Sequence, residues 1–93
     1  MLLTLFAKSD ASNRNKCAYY VRLTYPKDTT KRIQTYYLAH RLSFARKELQ
    51  RLLDNYEGAE LSEETKTLYA MDIIDPGYLE RTLKEQFNAL PRT

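Results

Sequence analysis

The stretch Cys17-Ala-Tyr-Tyr-Val-Arg-Leu-Thr-Tyr25, Pro26-Lys-Asp-Thr-Thr30, Lys31-Arg-Ile-Gln-Thr-Tyr-Tyr-Leu-Ala39 decides the fold. Its two outer runs are rich in Tyr, Val, Ile and Thr, residues that suit a pleated, half-buried surface. The break between them holds Pro26, which presets a turn φ, and Asp28, which can bond its own backbone. The stretch therefore reads as a β-hairpin with Pro26 to Thr30 as its loop. That loop sets Tyr25 opposite Lys31, Leu23 opposite Ile33, Val21 opposite Thr35 and Tyr19 opposite Tyr37. Thr24 then meets Arg32, Arg22 meets Gln34 and Tyr20 meets Tyr36. In this register one face is mostly apolar, and the other displays Arg22, Arg32, Gln34, Tyr20 and Tyr36.

Outward from the hairpin, Leu2 to Ala7 reads as a first strand with apolar residues on both faces, hence an inner or helix-covered one. Lys8 to Lys16 is polar throughout and reads as a loop, from which Lys8, Arg14 and Lys16 can reach a phosphate backbone. After the hairpin, Ser43 is the expected N-cap of a helix from Phe44 to Tyr56, with Ala45, Leu49, Leu52, Leu53 and Tyr56 as its buried stripe. Arg46, Lys47, Gln50 and Arg51 share the opposite side. Basic residues in the first turn oppose the helix dipole, which points to a functional reason for them.

Beyond Glu57 the character changes. Ser62-Glu63-Glu64 is a helix start. The following segment fits a helix through Leu68 and Met71 but also alternates like a strand through Thr67, Tyr69, Met71 and Ile73. The helical reading, Glu63 to Asp72, is adopted. Asp75-Pro76 signals a last helix from Pro76 to Ala89, with Asp75 as N-cap and Leu79, Leu83, Phe87 and Leu90 buried. Glu80 with Lys84 and Arg81 with Glu85 are its i,i+4 pairs. The fold class expected is α+β: a three-stranded antiparallel sheet packed on a helix, followed by a helical C-terminal part. Ninety-three residues make one domain, a basic βββα unit over 2–57 and an acidic helical tail over 58–93, with the span from Asp54 to Glu64 as the hinge.

Charge is unevenly laid out. Residues 1–51 hold eleven basic and three acidic residues, a net +8, and residues 52–93 hold four basic and nine acidic, a net −5. A basic half hints at a polyanion partner, while mutual attraction of the halves, within a chain or head-to-tail between chains, is the competing account. A single Cys excludes an internal disulfide and a multi-Cys metal site. The start Met-Leu-Leu-Thr-Leu-Phe-Ala has neither the basic lead nor the length of a signal peptide or membrane span, so cytoplasm is the expected compartment. In the expected register His40 faces away from Cys17, so no Cys–His dyad is expected. Only two glycines occur, and no phosphate-cradling loop. No catalytic residues, metal or cofactor are expected.

The layout Tyr19-Tyr20-Val21-Arg22-Leu23-Thr24-Tyr25, Lys31-Arg32 entering a strand, then Phe44-Ala45-Arg46-Lys47-Glu48-Leu49 on a helix resembles the arm-type DNA-binding domain of tyrosine recombinases (phage integrases). The resemblance covers residues 2–55. It lacks the usual Gly in the hairpin turn and has no counterpart for the acidic segment from Asp54 onward. It implies a sheet that enters the DNA major groove, with Arg22, Arg32, Gln34 and Tyr36 facing bases and Lys8, Lys16, Lys27 and Lys31 facing phosphates.

The residues and the resemblance together predict a small nucleic-acid-binding accessory protein, of a phage or mobile element. Its interface is expected to comprise Arg22, Arg32, Gln34, Tyr20, Tyr36, Lys31, Arg46, Lys47, Arg51 and Lys16, with DNA favoured over RNA. Two other readings stay open. One is a protein-interaction module, such as a regulator or inhibitor of a host complex, using the acidic half or self-association. The other is a small ribonuclease toxin relying on His40 and Arg22.

Overall fold

Alternation in the N-terminal third produces two long strands, β1 (Leu2–Asp10) and β2 (Asn13–Thr24), and a shorter β3 (Gln34–Ala39). Helix α1 (Leu42–Asn55), a two-residue β4 (Glu60–Leu61), α2 (Glu63–Ile74) and α3 (Tyr78–Ala89) follow. This computed structural model describes residues 1–28 and 30–89. The class is α+β, but the sheet has four strands in the order β3-β2-β1-β4, antiparallel except for β4, which runs parallel to β1. Leu3, Leu5, Ala7, Tyr19, Val21 and Leu23 project from one face and pack with Ala45, Leu49, Leu68, Leu79, Leu83 and Phe87 of the three helices. Among the described residues no helix packs on the other face.

Three expectations about the sheet change. The segment from Lys8 to Lys16 is not a loop. β1 and β2 extend through it, leaving Ala11 and Ser12 as the turn. Asp10 Oδ1 accepts from the Ser12 N–H (2.7 Å) and the Ser12 hydroxyl (2.6 Å), an Asx closure that needs no Gly. The polar composition marks exposure of a protruding hairpin end rather than absence of structure.

The β2–β3 register is slipped by one residue from the expected one. Val21 pairs with Tyr36, Arg22 with Thr35, Leu23 with Gln34 and Tyr20 with Tyr37, and an irregularity then sets Tyr19 opposite Ala39. The connection is longer than five residues because two turns close in succession: Asp28 N–H to Tyr25 C=O (3.1 Å) and Lys31 N–H to Asp28 C=O (3.3 Å). Lys31, Arg32 and Ile33 thus precede the strand, and Ile33, expected on the core face, is 67% exposed. A one-residue slip exchanges the faces of β3. Gln34 and Tyr36 move to the helix side, while Thr35 and Tyr37 join Arg22 and Tyr20 on the open side.

The span expected to be a hinge contains β4, tied to β1 by Glu60 N–H to Met1 C=O (3.0 Å) and Ser62 N–H to Leu3 C=O (2.9 Å).

Among the helices, α1 starts two residues early. Arg41 occupies its N-cap with no side-chain cap bond, in place of Ser43. Tyr56, expected in the buried stripe, lies past the helix and is exposed. The ambiguous segment is helical: α2 is capped by Ser62, whose hydroxyl accepts from the Thr65 N–H. Asp75 does not cap α3. Its N–H closes α2 on Met71 C=O, and Asp72 Oδ1 instead accepts from the N–H groups of Gly77 (3.1 Å) and Leu79 (3.2 Å). Gly77, at φ +95°, makes that tight reversal possible. Leu79, Leu83 and Phe87 are buried as expected, and Leu90 lies outside the described residues. Glu80 pairs with Lys84 (3.0 Å), but Arg81 turns back to Asp75 (2.5 Å) rather than to Glu85. Among the described residues no helix is long and apolar enough to cross a membrane.

Candidate nucleic-acid interface

The open sheet face is built on pairings across β1, β2 and β3. Phe6 lies opposite Tyr20, and Tyr20 opposite Tyr37; Thr4 lies opposite Arg22, and Arg22 opposite Thr35. The aromatic residues form a continuous row. Phe6 and Tyr20 stack at 5.9 Å between centroids, Tyr20 and Tyr37 are tilted at 5.8 Å, and Tyr37 meets the His40 ring edge-on at 5.2 Å.

Two cations lie on this row. Lys8 Nζ is 4.4 Å from the Tyr20 centroid and Arg22 Cζ is 4.7 Å from that of Phe6. This covering explains why Tyr20 is only 8% exposed on a face without helices, and burial raises its phenol pKa. Neither Lys8 nor Arg22 takes part in an ion pair among the described residues. Both border a shallow cleft of about 440 Å³ whose far rim carries Glu64 and Gln86.

At the β1–β2 turn the row ends in a polar chain. The Tyr37 hydroxyl lies 2.6 Å from His40 Nδ1, and His40 Nε2 is bonded to Asp10 Oδ2. Bonds from the Ser12 hydroxyl and N–H, then His40, hold the Asp10 carboxyl well below the usual carboxylate range. The chain fastens the end of β3 to the tip of β1. Both ring nitrogens of His40 are engaged in it, although His40 and Cys17 border a common cleft. Burial raises the Cys17 thiol, with Lys84 opposing.

Of the residues expected to form the interface, the structure unites only Arg22 and Tyr20. Gln34 and Tyr36 are on the helix side, joined to each other at 3.3 Å. Lys31 and Arg32 lie in the turn before β3, where Lys31 rests over the Tyr25 ring at 4.8 Å. Lys16 is exposed near the far end of β2. The helix stripe is split. Arg46 reaches α2, bonding Asp72 at 3.2 Å and lying 4.7 Å over the Tyr69 ring. Arg51 pairs with Glu48 at 2.6 Å. Lys47 extends over Phe44 at 5.8 Å. Because α1 begins at Leu42, Arg46 and Lys47 fall in its second turn and not, as expected, in its first, so the conflict with the helix dipole that pointed to a functional role is absent, and Arg46 is accounted for by Asp72.

Sequence reasoning missed Phe6, Tyr37 and His40 as members of this face. Alternation along β1 groups Phe6 with Thr4, opposite Leu3, Leu5 and Ala7, so Phe6 was detectable. Tyr37 was not, because its face depends on the register of an edge strand. Among the described residues, no three His, Cys, Asp or Glu side chains are placed to share a metal ion. No family model, no curated protein and no solved structure matches this chain.

Proposed function

We propose that this protein binds nucleic acid, duplex DNA in preference to single-stranded RNA, through the open face of its sheet. The observation that carries the reading is the pair Lys8 over Tyr20 and Arg22 over Phe6, two cations without an ion pair among the described residues, held in place on the sheet face opposite the helix-packed core. Stacking on a ring restricts a long cationic side chain before any ligand arrives, so less rotamer freedom is lost on contact with phosphate. The same arrangement favours duplex over single strand. A base needs a bare ring to stack on, and here the faces of Phe6 and Tyr20 are taken by cations. Of Phe6, Tyr20 and Tyr37, Tyr37 is the most open, at 48% exposed.

The test is fluorescence anisotropy with random duplex DNA and single-stranded RNA across salt concentrations. With Arg46 and Arg51 turned to Asp72 and Glu48 and Lys16 set apart near the β1–β2 turn, about two phosphate contacts from Lys8 and Arg22 are expected, a log–log salt slope near −2 on duplex. Arg22→Ala should weaken binding about tenfold at low salt and flatten the slope by about one. Absence of duplex binding at low salt, or an unchanged affinity in Arg22→Ala, rejects the reading.

A further inference from the structure

The two edges of the sheet are finished differently. Beyond β1, the edge is closed by β4 and by the Thr65 hydroxyl, which accepts the Leu5 N–H at 3.0 Å. Beyond β3 no described residue pairs. Exposed edge strands ordinarily carry a Lys, a Pro or an inward charge that discourages a further strand. β3 reads Gln34-Thr-Tyr-Tyr-Leu-Ala39, without a charge and without Pro.

Bond alternation identifies the free groups. Leu3 and Leu5 direct their backbone bonds away from β2, toward Ser62 and Thr65. In an antiparallel sheet, Thr4 and Phe6 must then bond Arg22 and Tyr20, while Val21 and Leu23 bond Tyr36 and Gln34. Thr35 and Tyr37 are left with N–H and C=O pointing outward. Beside them, on the helix side, a groove of about 370 Å³ opens between Tyr36 and Leu38 of β3 and Leu52 and Tyr56 at the end of α1. Tyr36 and Tyr56 are 51% and 57% exposed at its rim. Both ends of the strand are basic: Lys31 and Arg32 precede it, Arg41 follows it, and all three are exposed.

We propose that the outer edge of β3 takes up an extended segment of a partner protein as a fifth strand, apolar at alternate positions and acidic at both ends. Main-chain bonds to Thr35 and Tyr37 supply the pairing, and alternate side chains enter the groove beside Tyr36 and Tyr56. The acidic ends answer Lys31 and Arg32 on one side and Arg41 on the other. The same charges argue against a second copy of this chain as the occupant. Antiparallel self-pairing about Tyr36 sets Lys31 of each copy near Arg41 of the other, two like-charge encounters in one interface. The site uses the outward backbone groups of Thr35 and Tyr37, whose side chains lie on the open face, and it does not depend on nucleic-acid binding.

The test uses the full chain and three labelled nine-residue peptides. The first is Asp-Glu-Val-Thr-Val-Thr-Val-Glu-Asp, capped at both termini. The second keeps the acidic ends around a Gly/Ser centre, and the third places Lys ends around the Val/Thr centre. The first should bind about tenfold more tightly than either of the others, and on binding the Thr35 and Tyr37 amides should gain protection from hydrogen exchange. Thr35→Pro removes an outward N–H and no bond to β2, a substitution an edge strand tolerates. It should weaken the first peptide at least about tenfold with its melting transition retained. Equal binding of the Gly/Ser peptide or of the Lys-ended peptide overturns the proposal, as does unchanged exchange at Thr35 and Tyr37 in the wild-type complex. A dimer in sedimentation that Thr35→Pro abolishes overturns the choice of occupant.

Discussion

The Thr65 hydroxyl accepts the backbone N–H of Leu5 at 3.0 Å, across sixty residues of chain, with both residues buried. β4 ends at Leu61, so β1 would otherwise bury an unpaired donor beside α2. A side chain from the first turn of a helix here does the work of a missing strand residue. Thr65→Val keeps the shape and deletes the acceptor. It should destabilise the fold by about 1–3 kcal/mol, the cost of an unsatisfied buried N–H. Thr65→Ser should recover most of that loss. Urea denaturation of the three proteins checks it, with equal midpoints for Val and Ser as the contrary result.

Arg46 belongs to the packing of α1 on α2, through Asp72 and the Tyr69 ring, and not to the proposed nucleic-acid face. Arg46→Ala should lower the melting temperature by a few degrees while leaving duplex affinity within about twofold of wild type. The comparison with Arg22→Ala is the informative one, since the two substitutions remove the same charge. Melting curves and anisotropy on both variants make the check. Equal losses of affinity would place Arg46 in the interface after all.

The depressed pKa of Asp10 makes the β1–β2 tip acid-sensitive in a defined window. A carboxyl whose folded pKa lies below its unfolded value contributes stability that is complete above the unfolded value and lost as pH falls through the folded one. The loss therefore occurs below about pH 4, the ordinary aspartate range, and not around neutrality. The Ser12 amide and the Tyr37 ring resonances should move together in that range in an NMR titration. In Asp10→Asn the joint movement should vanish. Separate transitions for Ser12 and Tyr37 would mean that the chain through His40 does not act as a unit.

Both glycines have positive φ, +78° at Gly58 and +95° at Gly77, but their surroundings differ. A Cβ at Gly58 meets nothing within 4 Å, whereas one at Gly77 comes to 3.0 Å from Arg81 Nη1. Each Gly→Ala change should cost about 1–2 kcal/mol for the left-handed backbone. Gly77→Ala should also disturb Arg81, whose guanidinium bonds Asp75. Denaturant midpoints should fall in both, and a smaller drop at Gly77 than at Gly58 would contradict this.

The class of the fold was legible because it rests on local periodicity. Leu3, Leu5 and Ala7, Val21 and Leu23, Ala45 and Leu49, and Leu79, Leu83 and Phe87 recur at strand or helix spacing, and all are buried. Burying such a stripe is worth far more than any alternative the local chain offers, so tertiary context had nothing to override. Residues 63–72 are helical for a related reason: Ser62 and the carboxylates behind it form a cap that the strand-like alternation of Thr67, Tyr69 and Met71 does not outweigh.

What tertiary structure alone decided was the register of β3, the partner of Arg46 and the closing of the β1 edge. β3 is an edge strand with Tyr on both sides, so its own pattern distinguishes the two registers weakly, and a one-residue change in turn length exchanges Tyr36 for Tyr37 on the open face. Asp72 lies 26 positions from Arg46 and Thr65 sixty from Leu5. No local rule links residues so far apart, because side-chain periodicity specifies which face a residue occupies but not which distant element comes to lie against it.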